Sequence, residues 1–292
     1  MIADAQTLTV VIAALVVLAL GYGVVGAMTA IPATSGAARN IWPILNVEAV
    51  VVLSVLVVFA FAPVLMPIAM LALTVRVVWE AAMVRYRPSG AGHAVIWAAV
   101  AGAVLIAAML MPWRPAVLLL GAAWAFACAW RFWRTDPAAD LLIFPVLPML
   151  AFATACGATT PALFLAAWIG IETFDSYALL VGKVFGRHKA FPRLSPNKTV
   201  EGLVGGAAML MLTALAAVTF VEAVSTSQAI VFALLIGVFA VVGDLAASRL
   251  KRLAGVKDFP SLIPHQGGMF DMFDAWISVG GVLALLRALE AW

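Results

Sequence analysis

Apolar runs of 16 to 22 residues follow one another along almost the whole chain, divided by single prolines, glycines or short polar breaks. A membrane crossing needs about 20 predominantly apolar residues in a helix. Runs and breakers together predict ten spans, near residues 8–29, 44–61, 63–84, 94–111, 115–130, 141–157, 160–181, 202–222, 228–248 and 275–291. Several runs share only one Pro or Gly as a boundary, so eight to ten spans fit the pattern. The fold class expected is all-α: a polytopic integral membrane bundle of helices. The first run has no Lys or Arg ahead of it, which argues for a retained span over a cleaved leader.

Composition agrees. The chain is 65% hydrophobic and 11% charged, with a mean hydropathy of +1.12, whereas a soluble domain carries about 25% charged residues. Tryptophans near run ends (Trp42, Trp79, Trp113, Trp133, Trp276) read as an interfacial belt. Cys128 and Cys156 lack metal-type spacing and read as small buried hydrophobes. Charge orients the bundle. Arg39, Arg85 with Arg87, Arg131 with Arg134, and the loops 183–198 and 249–258 are each two spans apart, so all lie on one side. The positive-inside rule makes that side cytoplasmic and leaves Arg114 and the N-terminus outside.

Residues 1–140 read as scaffold spans, and residues 141–292 as a region carrying chemistry on cytoplasmic loops 183–201 and 249–274. All five lysines lie between Lys183 and Lys257, and eight of the fourteen acids between Glu172 and Asp274. Glu172 and Asp175 share a helix face at the end of a span, where an ionisable group is either solvated at the interface or faces a protein interior. Residues 186–202, GRHKAFPRLSPNKTVEG, combine Ser195, Asn197 and Lys198 with a helix start, the equipment of a phosphate site as well as of a basic surface loop. Asp244, Ser248, Lys251 and Arg252 are offset by four, seven and eight residues and form one helical stripe, either a metal-and-anion site or a salt-bridge ladder. Gly267 and Gly268 allow a close backbone approach, and Asp271 and Asp274 share the face of the next helix.

Carboxylates and cations gathered at one end of several spans suit a polyphosphate with its metal. The donor set is rich in oxygen and free of thiol, which favours Mg²⁺ held by one or two carboxylates and by substrate phosphates. No GxxxxGK(S/T) loop occurs, so the P-loop class is not indicated; the GxGxxG match at Gly21, Gly23 and Gly26 lies inside the first apolar run, without the strand that a dinucleotide fingerprint must follow. Ion-coupled transport, with Asp175 and Asp244 as coupling acids, is a rival; so is a non-catalytic lipid-phosphate binder. Against transport, the acids cluster with cations at one face and no inverted repeat is evident.

The stretch GDLAASRLKRLAGVKDFPSLIPHQGGMFDMFD resembles the C-terminal signature of phosphatidate cytidylyltransferases, the CDP-diacylglycerol synthases. That signature runs S-x-x-K-R, K-D, P-G-H-G-G, then D-R-x-D. Ser248, Lys251, Arg252, Lys257, Asp258, Pro264, Gly267, Gly268, Asp271 and Asp274 fall in register. Upstream, FDSYALLVGKVFGRHKAFPRLSPNKTVEG is similar to the family's D-x-x-A-Y…SPKKTxEG segment through Asp175, Ser195, Lys198, Thr199 and Glu201. Gln266 stands at the family's His position, and Met272 at that of its Arg.

The resemblance implies transfer of a cytidylyl group from CTP to phosphatidate, with Asp244, Asp271, Lys251 and Lys198 as catalytic residues. It implies metal binding by Asp244, Asp271 and Asp274, with substrate or phosphate contacts from Asp175, Ser195, Asn197, Ser248, Arg252, Lys257, Gln266, Gly267 and Gly268. Mg²⁺ is the expected cofactor, with a monovalent cation as a second. Expected partners are CTP, phosphatidate, membrane lipids and a second copy of the chain as a homodimer, with no nucleic acid. The expected location is a bacterial cytoplasmic membrane. A paralogue acting on another lipid phosphate is the nearest alternative. The GxxxG spacing from Gly182 to Gly186 offers a helix-packing face, or more simply a turn before the basic loop.

Overall fold

A computed structural model describes residues 5–133, 136–158, 161–218, 224–261 and 267–290. Its helices are α1 (Ala5–Ala30), α2 (Pro32–Ala60), α3 (Ala62–Arg85), α4 (Gly90–Met109), α5 (Trp113–Trp133), α6 (Pro137–Leu141), α7 (Leu147–Ala158), α8 (Pro161–Phe185), α9 (Val200–Val218), α10 (Thr226–Leu253) and α11 (Met269–Ala288). The protein is an all-α polytopic membrane bundle. Among the described residues, nine helical segments are long and apolar enough to cross a bilayer. The tenth expected span lies in α2, whose apolar part, Leu45–Ala60, is shorter than the others. Expected boundaries also moved: the last span starts at Met269, because the acids of its first turn belong to the helix.

The chain forms two compact units. One runs up to Ala69 and includes the start of α8 up to Ala166; the other holds Met70 to Ala158 and everything from Ala167. In the first, α1 and α2 pack together, and the Tyr22 hydroxyl donates to Asn46 Oδ1 at 3.0 Å. In the second, α7 and α11 form the buried centre. Phe152 meets Trp276 edge-on at 4.7 Å, and a Cβ on Gly281 would stand 2.7 Å from Pro148 Cβ. Both helices are mostly buried along their length. Outer helices keep apolar residues outward, as Ile96, Phe126 and Val204 do, and these suit lipid. Cys128 is exposed on that outer surface, contrary to the buried place expected for it, while Cys156 is buried; both are free thiols.

Breakers shape the elements that position the site. Pro145 cannot donate to the helical ladder, and α6 passes into α7 through a π-type segment, Leu142–Val146, in which Phe144 leaves helical geometry. Helix α10 opens with a reciprocal cap: Ser225 Oγ accepts from Gln228 N–H at 3.3 Å, and Gln228 Oε1 accepts from Ser225 N–H at 2.9 Å. The basic loop after α8 is a β-hairpin rather than irregular chain. Strand β1 (Lys189–Phe191) pairs antiparallel with β2 (Ser195–Thr199), in register Lys189 to Thr199 and Phe191 to Ser195. The residue before a proline favours extended backbone, and Phe191 and Ser195 both precede one. Thr199 Oγ1 then accepts from Gly202 N–H at 3.1 Å and caps α9.

Candidate active site

Where the hairpin meets α10, Lys198 Nζ lies 3.2 Å from Asp244 Oδ2. Lys198 reaches this position because β2 runs directly into α9, whose first turns are pressed against α8. A Cβ on Gly206 would stand 2.5 Å from Phe174 O, and one on Gly182 would stand 2.9 Å from Thr199 Oγ1. Gly182 and Gly186 therefore serve packing inside the chain, against Thr199. Lys198 is also within electrostatic reach of Asp175 on α8 and Asp274 on α11. Burial pulls the pKa of its ammonium down, but the charges of Asp244 and Asp175 outweigh this and hold it above the ordinary lysine value of 10.5. Lys198, Asp175, Asp244 and Asp274 thus form one charge cluster from four elements.

Asp271 begins a second cluster. Lys251 Nζ donates to its Oδ1 at 2.6 Å, while its Oδ2 accepts from Phe259 N–H at 2.9 Å and Gly268 N–H at 3.0 Å. Asp271 thereby ties the start of α11 to α10 and to the loop before it. The expected stripe on α10 splits accordingly. Asp244 faces Lys198, Ser248 and Lys251 are buried, and exposed Arg252 donates to Val256 O at 3.0 Å. Lys257 and Asn197 are exposed, and Ser195 is half-buried. Asp274 is buried and senses the charges of Asp244, Lys251 and Lys198, which links the two clusters. Gln266 lies outside the described residues.

Two of the N–H groups expected to be free at the start of α9 are occupied: Val200 N–H donates to His188 O at 2.9 Å and Gly202 N–H to Thr199 Oγ1. Glu201 reaches back to accept from Arg187 N–H and His188 N–H in the preceding loop and to pair with His188 Nδ1 at 2.5 Å.

Sequence reasoning missed two groups. Glu80, fully buried on α3, accepts from Met269 N–H at 3.1 Å and Phe270 N–H at 2.8 Å. Arg76 donates to it at 2.6 Å and to Pro260 O at 3.3 Å. A carboxylate with an arginine four residues earlier, alone in an apolar run, was the available signal. Asp140, also buried, collects Arg85, Arg131 and Arg249 from three helices. Arg85 and Arg131 had served only as loop charges in the orientation argument.

The residues fit a hard divalent cation. Asp244 Oδ2 is a buried carboxylate oxygen without an aligned hydrogen-bond donor, despite the nearby ammonium. Nearby acids are all carboxylates. Among the described residues, no three His, Cys, Asp or Glu side chains form a complete metal cage. Mg²⁺ does not need one, since it is commonly held by one or two carboxylates with phosphates and water.

This helical bundle, with its acids and cations at one end of the spans, is matched by the sequence pattern of the cytidylyltransferase family over residues 42–289. The chain belongs to that family. It is similar to a phosphatidate cytidylyltransferase of Staphylococcus saprophyticus, 36% identical over 124 residues, which is 42% of this chain and 46% of that protein. The Staphylococcus aureus (strain COL) phosphatidate cytidylyltransferase is 37% identical over the same length and shares. The uncharacterized protein YnbB of Escherichia coli K12 is 41% identical over 106 residues, 36% of each chain. Each match spans less than half the relative's own length.

Proposed function

We propose that the chain is a CTP-dependent nucleotidyltransferase that joins CTP and phosphatidate to give CDP-diacylglycerol and pyrophosphate. The observation that carries this reading is the Lys198–Asp244 pair, in a chain of the cytidylyltransferase family. A lysine ammonium stands beside a carboxylate oxygen that makes no aligned hydrogen bond, which is what a metal-bound triphosphate requires. The two relatives named phosphatidate cytidylyltransferase support the choice of acceptor.

In the reaction, a phosphate oxygen of phosphatidate attacks the α-phosphorus of CTP. The new P–O bond forms as the bond from the α-phosphorus to the α,β-bridging oxygen breaks, and pyrophosphate leaves with that electron pair. A phosphomonoester has its second pKa near 6, so at pH 7 it needs no strong base. The main barrier is bringing two polyanions together in line. When the nucleotide arrives, Lys198 exchanges Asp244 for phosphate oxygens, and its charge meets that developing on the leaving group. Asp244, with Asp274 and Asp175 beside it, would hold the metal. Mg²⁺, when bound, supplies charge neutralisation at the phosphates, and a monovalent cation is the second expected ion. Lys251 and Asp271 keep α10 and α11 in register and lend their charges from behind. Arg252, Lys257, Asn197 and Ser195 form the rim that nucleotide approaches from water, with Ser248 beneath.

The catalytic groups come from residues 141–292, and the spans before them are support. The site faces the cytoplasm of a bacterial inner membrane, as the arrangement of basic loops argues. A homodimer is the proposed assembly. The test uses purified protein in detergent with labelled CTP, Mg²⁺ and phosphatidate, read as CDP-lipid. Turnover that is lost in Asp244→Asn supports the reading; folded protein giving no CDP-lipid from phosphatidate sinks it.

A further inference from the structure

Two adjacent glycines open α11, and they are glycine for different reasons. Gly267 has φ +77, a left-handed conformation that side chains disfavour. Gly268 has φ −83 and ψ 168, extended backbone that any residue adopts. Its lack of a side chain must come from space. A Cβ there would collide with Glu80 Oε2 and stand 2.8 Å from Phe259 Cβ and 2.9 Å from Glu80 Cδ. The backbone comes this close to Glu80 because Glu80 accepts the next two N–H groups, those of Met269 and Phe270.

Those N–H groups belong to the first turn of a helix, where a phosphate is otherwise welcome. In this protein they are filled from within. Asp271 takes Gly268 N–H, and Glu80 takes the two that follow. Burying a carboxylate at 0% exposure inside an apolar bundle is costly unless it is paired and hydrogen-bonded. Arg76 pairs with it and also donates to Pro260 O. One turn of α3 therefore grips the chain on both sides of the segment between Pro260 and Met269.

We propose that Glu80 is a positioning residue for the reaction: it substitutes for an anion at the N-terminus of α11, fixes where Asp271 and Asp274 stand, and with Phe259 leaves room only for glycine at 268. The positioning part rests on the nucleotidyltransferase reading; the fit of Gly268 to Glu80 does not. It follows that substrate phosphate binds on the Lys198 side and not at the start of α11.

A double-mutant cycle tests this, using full-length protein in detergent with Glu80→Ala, Gly268→Ala and both together. Two readouts are taken: kcat and KM for CTP, and the thermal unfolding midpoint. Gly268→Ala alone should lower kcat at least ten-fold with KM for CTP changed less than three-fold, because the acids move while the Lys198 side keeps its grip. In the Glu80→Ala background the same change should cost at least three-fold less than in wild type, since the contact with Glu80 is gone and only that with Phe259 Cβ remains. Glu80→Gln keeps the bulk without the charge, and in that background Gly268→Ala should remain as damaging as in wild type. Equal cost of Gly268→Ala with and without the Glu80 side chain overturns the proposal, as does a Gly268→Ala protein with wild-type kcat. If wild type turns over none of the lipid phosphates offered, the cytidylyltransferase reading fails separately. The cycle is then read in the unfolding midpoints: non-additive shifts uphold the fit of Gly268 to Glu80, and additive shifts overturn it.

Discussion

Replacing Asp140 by Asn should loosen the larger unit where α3, α5 and α10 meet α6. Asp140 Oδ2 accepts from Arg85 at 3.1 and 2.9 Å, and Oδ1 from Arg131 at 2.8 Å and Arg249 at 3.0 Å. The carboxylate side chain is 2% exposed, while the three arginines are 20%, 26% and 41% exposed. Removing one partner of a fully buried ion set costs about 3–5 kcal/mol. Here the guanidiniums keep part of their hydration and asparagine keeps one acceptor, which reduces the expected loss to about 2–3 kcal/mol. For a chain of this size each kcal/mol is worth about 2–4 °C, so the unfolding midpoint in detergent should fall by about 5–10 °C. Arg114→Gln is the internal control. Its ion pair with Glu290 has side chains 51% and 66% exposed and should contribute less than about 1 kcal/mol. Equal shifts in the two variants would refute the claim that burial of Asp140 is what gives its ion set strength. Because Arg249 sits between Ser248 and Lys251 on α10, Asp140→Asn should also raise KM for CTP a few-fold.

Three further outcomes follow from the site. Asp244→Asn should retain the wild-type unfolding midpoint within a few degrees yet lower kcat about a thousand-fold or more, measured as CDP-lipid formed per minute. Lys198 has its pKa raised in the folded protein, so its contribution to stability is complete below the unfolded value near 10.5 and is lost as pH rises through the higher folded value. Unfolding midpoints from pH 8 to 12 should therefore fall more steeply above about pH 10 in wild type than in Lys198→Met, and parallel curves would contradict this. Chelation of divalent metal should abolish turnover, and Mg²⁺ should restore it while leaving Asp244→Asn inactive.

The sequence by itself determined the membrane character, the all-α class and the identity of the main charged stretches. These follow from composition and from runs of about 20 apolar residues, properties that need no long-range contact. It also made Lys198, Asp244 and Asp274 candidates, since an ionised group beside an apolar span is conspicuous by its cost. Tertiary structure decided which charge meets which. The α10 stripe gave Asp244 and Lys251 equal standing, but the neighbouring elements separate them: β2 brings Lys198 to Asp244, and α11 brings Asp271 to Lys251. Glu80 lies 190 residues from Phe270 in the chain, and Asp140 lies 109 from Arg249. Periodicity along one helix carries no information about such pairs. Only packing brings α3 to the start of α11, where the space a side chain at 268 would need is taken by the Glu80 carboxylate and by Phe259.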